Sequence, residues 1–179
     1  MKMSTKKIKE NSEINSKDFY EKELERVNSW LAFAEAKNGA LIAANIGLLG
    51  FVYNFCDKHP IISAIALAIL TGATIISLLS FFPIFNNIKN KTKSNKNDDL
   101  NLIFFRDIAK FDDADEYIKI VNNKYFNMRP NTSKLEKDLA LEIIVNSKIT
   151  VSKYGLFSLA LKVELFGLVI MVFIFILCA

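Results

Sequence analysis

Residues 20–55, YEKELERVNSWLAFAEAKNGALIAANIGLLGFVYNF, decide how the chain is read. Apolar or small residues recur at Tyr20, Leu24, Val27, Leu31, Ala34, Leu41, Leu48, Val52 and Phe55, stepping alternately by four and three. The two polar members of that seam are Asn38 and Asn45, one heptad apart. A 4-3 rhythm keeps one face of a helix turned towards a partner. No Pro interrupts the stretch, and Gly39, Gly47 and Gly50 fall where it has turned apolar, a setting in which membrane helices tolerate Gly. The spacing predicts one helix that begins in water and ends in a membrane, on the order of 50 Å long.

Hydrophobic residues make up 51% of the 179, and they are not spread as in a soluble core. They collect in Gly39–Cys56, Ile61–Phe82 and Leu165–Cys178. Ile61–Phe82 is 22 residues without a charge, and Gly39–Cys56 is 18. Uncharged apolar runs of roughly 18 residues or more suggest a spanning helix. The third block reaches that length by starting near Gly155 and taking in Lys162 and Glu164, placed towards one end where a Lys snorkels to the headgroups. The fold class expected is an all-α membrane protein with three transmembrane helices, at 39–56, 60–83 and 156–179. The first and third continue as long cytosolic helices, packed side by side with a hairpin partner. A disordered tail over 1–16, a cytosolic amphipathic helix over 17–38 and a cytosolic linker and helical region over 84–155 complete the plan.

Lys and Arg set the orientation. Eight precede Gly39, Lys58 alone lies in the link Asp57–Pro60, thirteen lie in 84–155, and Lys162 completes the 23. The positive-inside rule puts the N-terminus and 84–155 in the cytoplasm, with the link and the C-terminus outside. The net charge of +4 is read as topology and attraction to anionic headgroups. Nucleic-acid binding is not expected, because no aromatic-basic interleaving accompanies it. About 38 polar or amphipathic residues precede the first apolar block, too many for a signal peptide's n-region, so the spans do the anchoring.

Along the chain, Ser16 is a candidate N-cap for a helix starting near Lys17. The like-signed pairs Glu21–Glu25 and Lys22–Arg26 argue for solvation or cross-helix partners over internal ion pairs. Asp57–Pro60 makes a tight hairpin, with Pro60 opening the second helix. Ser63, Thr71, Thr74, Ser77 and Ser80 stud that span, and Phe81-Phe82-Pro83 closes it at the inner interface. Asn86–Asp99 reads as a flexible linker. Leu100–Phe105 is either a short strand or the start of a helix. Asp112 or Asp113 caps a helix reaching about Phe126, and Met128–Asn131 is a turn. Ser133-x-x-Glu136 is a capping box for a last long helix. Its seam runs Ala140, Ile144, Ser147, Val151, Tyr154, Ser158, Leu161, Leu165, Leu168, Val172 and Phe175, with a second seam through Leu139 and Ile143 nearly as good.

Catalytic chemistry is not expected. His59 is the single His, which leaves no His-based metal site and no Ser-His-Asp triad within one subunit, and no Gly-rich phosphate loop occurs. Asp112, Asp113, Asp115 and Glu116 gather at a helix start, where carboxylates are favoured anyway, so no metal is assigned. Asn131-Thr132-Ser133 is a glycosylation sequon by pattern only, since it faces the cytosol. Cys56 and Cys178 fall near the outer face, either as a disulfide or as small apolar fillers. Asn45, placed in hydrocarbon, must find a hydrogen-bond partner. Asn45 and Asn38 either fix helix register or, meeting copies from other subunits, line a wet path.

Several strings resemble the transmembrane effector family of the Pycsar anti-phage defence systems. They are Leu24–Trp30, Ala36–Asn38 leading into Leu41–Leu49, Ser77–Pro83, Asn101–Ala109, and Asn146–Lys148 through Lys153-Tyr154, and the resemblance covers roughly residues 24 to 170. It implies an effector in the bacterial inner membrane that responds to a cyclic nucleotide made by a partner cyclase on phage infection. Cyclic CMP or cyclic UMP, or another cyclic nucleotide, is the activating ligand, and no other cofactor is implied. The effector then impairs the inner membrane and halts or kills the infected cell. Read together with the helix seams, this suggests a homo-oligomer held closed until a small anion binds. Arg106, Lys110, Lys148 and Lys153 are the phosphate candidates, with headgroup contacts as their other reading. The cytosolic part is too small and too helical for a β-roll nucleotide domain. The competing class is a non-lytic membrane scaffold or accessory subunit that docks a cytosolic partner.

Overall fold

The computed structural model describes residues 2–54, 56–82, 100–127 and 132–178, and the side chains from Ser16 to Val172 within those ranges. Five helices follow one another: α1 (Lys2–Tyr53), α2 (Pro60–Leu79), α3 (Phe105–Ile108), α4 (Ala114–Tyr125) and α5 (Lys134–Cys178). Among the described residues there is no strand. Of the two readings of Leu100–Phe105 the strand does not form; Asn101 Oδ1 accepts from Ile103 N–H at 3.2 Å, and the segment leads into the short α3, which starts at Phe105. The flexible linker expected over Asn86–Asp99 and the turn at Met128–Asn131 lie outside the described residues.

α1 is one helix of 52 residues. It begins at Lys2, where a disordered tail was expected, because no Pro or Gly precedes Gly39 and the Lys- and Glu-rich opening turns are good helix formers. Ser16 is consequently no N-cap. It lies inside the helix, fully buried, and its hydroxyl donates to Glu136. The exposed face does carry internal ion pairs, Lys17–Glu21 at 3.4 Å and Asp18–Lys22 at 2.7 Å, because each Lys reaches a carboxylate one turn away in the opposite sense to the like-signed pairs.

The chain divides into two units. The first takes Met1–Leu31 and Asn86–Val151. Its core sets Tyr20, Val27, Leu102, Ile108, Tyr117, Val121, Ala140 and Ile143 out of solvent. Aromatic edges organise it: Tyr117 packs on Phe111 with ring centroids 5.3 Å apart and on Tyr20 at 6.4 Å, while Trp30 meets Phe105 at 5.7 Å. The Tyr117 hydroxyl, driven well above its usual pKa first by burial and then by neighbouring Glu23, donates to the Leu102 carbonyl at 2.9 Å. Asp113 caps α4 by accepting from Asp115 N–H at 3.3 Å, and Asn127, with φ 49°, takes the left-handed turn just beyond it. The capping box closes as the sequence requires: Ser133 N–H donates to Glu136 Oε2 at 2.7 Å, and Glu136 N–H donates to Ser133 Oγ at 3.2 Å.

The second unit takes Ala32–Phe85 and Ser152–Ala179 and is built inside out relative to a soluble bundle. The buried residues of α2 are Ser63, Ala66, Leu70, Ala73 and Ser77, small or hydroxylic for the most part. Its outward residues include Ile61 and Ile75, and α1 and α5 likewise expose Ile46, Phe51, Phe166, Val169 and Val172. Water does not favour that arrangement, whereas lipid does: small residues let helices approach, and large apolar ones face the tails. At Gly167 the approach is so close that an added Cβ would strike Ile69 Cγ2 and lie 2.9 Å from Cδ1. Among the described residues, two helices are long and apolar enough to cross a bilayer: α2, and α5 taken as far as Val172.

The seam of α5 differs from expectation in this unit. Its buried residues here are Lys153, Ala160, Glu164 and Gly167, so the 4-3 rhythm holds but passes through Ala160 and Glu164. Leu165 and Leu168, expected on the seam, point outward, because small and polar groups take the close contacts here.

Candidate functional site

Two constellations stand out, one in each unit. In the first unit three of the four phosphate candidates lie on or near α3 and α5. Lys110 Nζ is 2.6 Å from Asp107 Oδ1, and Lys148 Nζ is 2.7 Å from Asp112 Oδ1. Both lysines are thus engaged with carboxylates. Arg106 is exposed on α3 and, among the described residues, has no ion-pair partner. It lies two residues after the partly exposed Phe104 and next in sequence to Phe105, on which Trp30 packs. On α1 and α5, Asn146 donates to Asn28 at 2.9 Å. The strings Leu24–Trp30, Asn101–Ala109 and Asn146–Lys148 therefore converge within one unit.

Glu23, which the reading of the charged face passed over, is the other notable group of this unit. It is 1% exposed, its Oε2 takes the Arg26 guanidinium, and its Oε1 has no hydrogen-bond partner among the described residues. Burial pushes its carboxyl from 4.5 to about 7, with Arg26 pulling the other way. The signal was present in the spacing: Ser16, Tyr20, Glu23 and Val27 step by four, three and four.

The acidic group at the start of α4 is divided among separate tasks. Asp113 caps, Asp112 holds Lys148, and Asp115 pairs with Lys137 at 2.6 Å. Among the described residues no three metal-ligating side chains come together.

In the second unit the polar groups face inward. Asn38, fully buried, donates to the Ala34 carbonyl at 3.0 Å and to the Lys153 carbonyl at 3.4 Å. Lys153, the fourth phosphate candidate, is itself buried; its ammonium donates to the Ser80 carbonyl at 2.8 Å, just past the end of α2, and lies 3.1 Å from Glu35. That places a cation at a helix C-terminus, where the dipole favours it. Lys37 rests over the rings of Phe33, Tyr154 and Phe157 at 4.7, 5.3 and 5.4 Å, an aromatic cage typical of an interface. Deeper along the helices, Asn45 is fully buried, and its partner is Glu164. With its amide turned so that Nδ2 faces the carboxylate, it donates to the two oxygens at 3.0 and 3.3 Å. Glu164 is 7% exposed. Cys56 is a free thiol, and the Cys178 side chain lies outside the described residues.

Hydroxyls and amides turned inward, large apolar side chains turned outward and a charged helical unit on the same chain define a helical membrane protein. The chain belongs to the Pycsar effector family: the model of the Pycsar effector protein domain matches residues 19–179. It is thereby a membrane effector of anti-phage defence. No curated protein and no solved structure matches the chain significantly.

Proposed function

We propose that this effector assembles into homo-oligomers in the bacterial inner membrane. A cyclic nucleotide released by a partner cyclase during infection triggers it to impair that membrane, arresting or killing the cell. The protein acts by binding and repacking rather than by catalysis. The observation that carries the reading is the inside-out second unit, with buried Asn38, Asn45, Ser77 and Glu164 behind an apolar exterior. A bundle of that kind holds a polar path in reserve. In this reading the chain crosses three times, by the apolar end of α1 from Gly39, by α2 and by the C-terminal part of α5, and the first unit lies in the cytoplasm where the nucleotide is made.

Cyclic CMP or cyclic UMP binds the first unit. Arg106 carries the phosphate contact, because Lys110, Lys148 and Lys153 are already held by carboxylates. A guanidinium with free donors is suited to a cyclic phosphodiester. Isothermal titration of the purified protein with each nucleotide tests this. Arg106→Ala is expected to weaken binding by at least tenfold, on the scale of roughly 1.5–3 kcal/mol for a hydrogen bond to a charged group. Unchanged heats in the variant remove Arg106 from the site, and silence of the wild type with both nucleotides removes direct sensing of these two.

A further inference from the structure

Among the described residues, a single buried acidic group of the second unit has no cation beside it. Glu164 is buried on α5 against Asn45 of α1, and among the described residues it has no ion-pair partner. The basic groups on its own helix do not serve it. Lys153 is three turns away and engaged with Glu35 and Ser80, and Lys162 is exposed. An amide at position 164 would satisfy Asn45 equally well, so helix register does not require a carboxylate there. What only a carboxyl group at 164 supplies is a negative charge on the inward face of a span once water reaches it, and groups of that kind mark ion paths. Nearby polar capacity is also unused: Ser77 Oγ and Asn38 Oδ1 are buried in the same unit without a hydrogen-bond partner among the described residues.

We infer that Glu164 is the charge-selecting residue of the open assembly, and that the ions it passes are monovalent cations. In the closed state the carboxylate is held by the Asn45 amide. When the α1–α5 contact parts, the carboxylates of several subunits form a ring whose negative potential admits K⁺ and rejects Cl⁻, as acidic rings do in cation channels. Asn45, neutral beside it, supplies a polar wall without altering the sign. The inference rests on the reading that the effector permeabilises membranes, and it states what kind of leak results.

The test is the reversal potential of purified full-length protein in planar bilayers under a KCl gradient, with cyclic CMP and cyclic UMP added. The wild type is expected to pass K⁺ over Cl⁻ by about tenfold, the scale by which a charged cleft concentrates counter-ions. Glu164→Gln is expected to bring the ratio close to unity, Glu164→Asp to keep it, and Asn45→Asp, which adds a second carboxylate, to raise it. A non-selective or anion-selective wild type overturns the inference, as does an unchanged ratio in a conducting Glu164→Gln variant. Should Glu164→Gln not insert, an unchanged ratio in Asn45→Asp overturns it equally. A wild type that binds nucleotide yet passes no current defeats the permeabilisation reading itself, a separate outcome from failed selectivity.

Discussion

At the scale of single residues, Glu23 governs a testable pH dependence. Its folded-state carboxyl titrates at about 7 against an ordinary 4.5, because burial penalises the charged form more than Arg26 supports it. The Tyr117 phenol, which feels the Glu23 charge, is itself pushed well above its ordinary value by burial and stays neutral across this range. Between those two values the folded protein holds a proton that the unfolded chain has released. The contribution is fully present below pH 4.5 and is lost as pH rises through 7, amounting to at most about 3 kcal/mol. Glu23→Gln, which carries no titrating proton, is expected to gain stability relative to wild type between pH 5 and pH 8. Denaturant unfolding in detergent at the two pH values measures the gain. Parallel profiles for the two proteins would show that Glu23 is solvated after all.

At the scale of helices, contact distance becomes decisive. Gly167 brings α5 against Ile69 of α2 with no room for a methyl group. Gly167→Ala must push the helices apart or force Ile69, branched at Cβ, out of its rotamer, and overpacking of this kind costs roughly 1–3 kcal/mol. The thermal transition in detergent is expected to fall accordingly, with Ile69→Val restoring part of the loss in the double variant. Equal transitions for Gly167→Ala and wild type would mean that α2 and α5 do not meet at this point. Much of the element plan was legible beforehand, and for physical reasons. Pro60 starts α2, Asp113 caps α4, and Ser133 with Glu136 starts α5, because caps are local chemistry that depends on few residues. The inward face of α5 beyond Thr150 was not. Hydrophobicity ranks Leu165 and Leu168 as seam residues, but in lipid the preference inverts, and Ala160, Glu164 and Gly167 take the contact. The phosphate candidates illustrate the same limit. Sequence counts Arg106, Lys110, Lys148 and Lys153 alike, and only coordinates show that three of them already hold carboxylates.

At the scale of the molecule, the proposed three crossings rest on a parity argument. Within the first unit, Ser16 of α1 bonds Glu136 and Asn28 bonds Asn146, so the opening half of α1 and the start of α5 share one side of the membrane. Leu102 and Tyr117 belong to that same unit, which puts the segment after α2 there too. On the proposal that α2 crosses, the link Asp57–Pro60 lies on the opposite side, and a crossing by α1 between Asn28 and Asp57 is proposed with it. Its exposed Ile46, Phe51 and Tyr53 suit that environment. The density of Lys and Arg in 84–155 supports the proposed cytoplasmic side for the first unit. In a Cys56→Ser, Cys178→Ser background, Lys58→Cys is expected to react with a membrane-impermeant maleimide added to spheroplasts. Glu25→Cys and Lys119→Cys, both on exposed positions of the first unit, are expected to react only after the membrane is opened. Labelling of Glu25→Cys from outside while Lys119→Cys stays protected would place the two halves of the first unit on different sides of the bilayer. That result would break the two-helix contact on which the proposed third crossing rests.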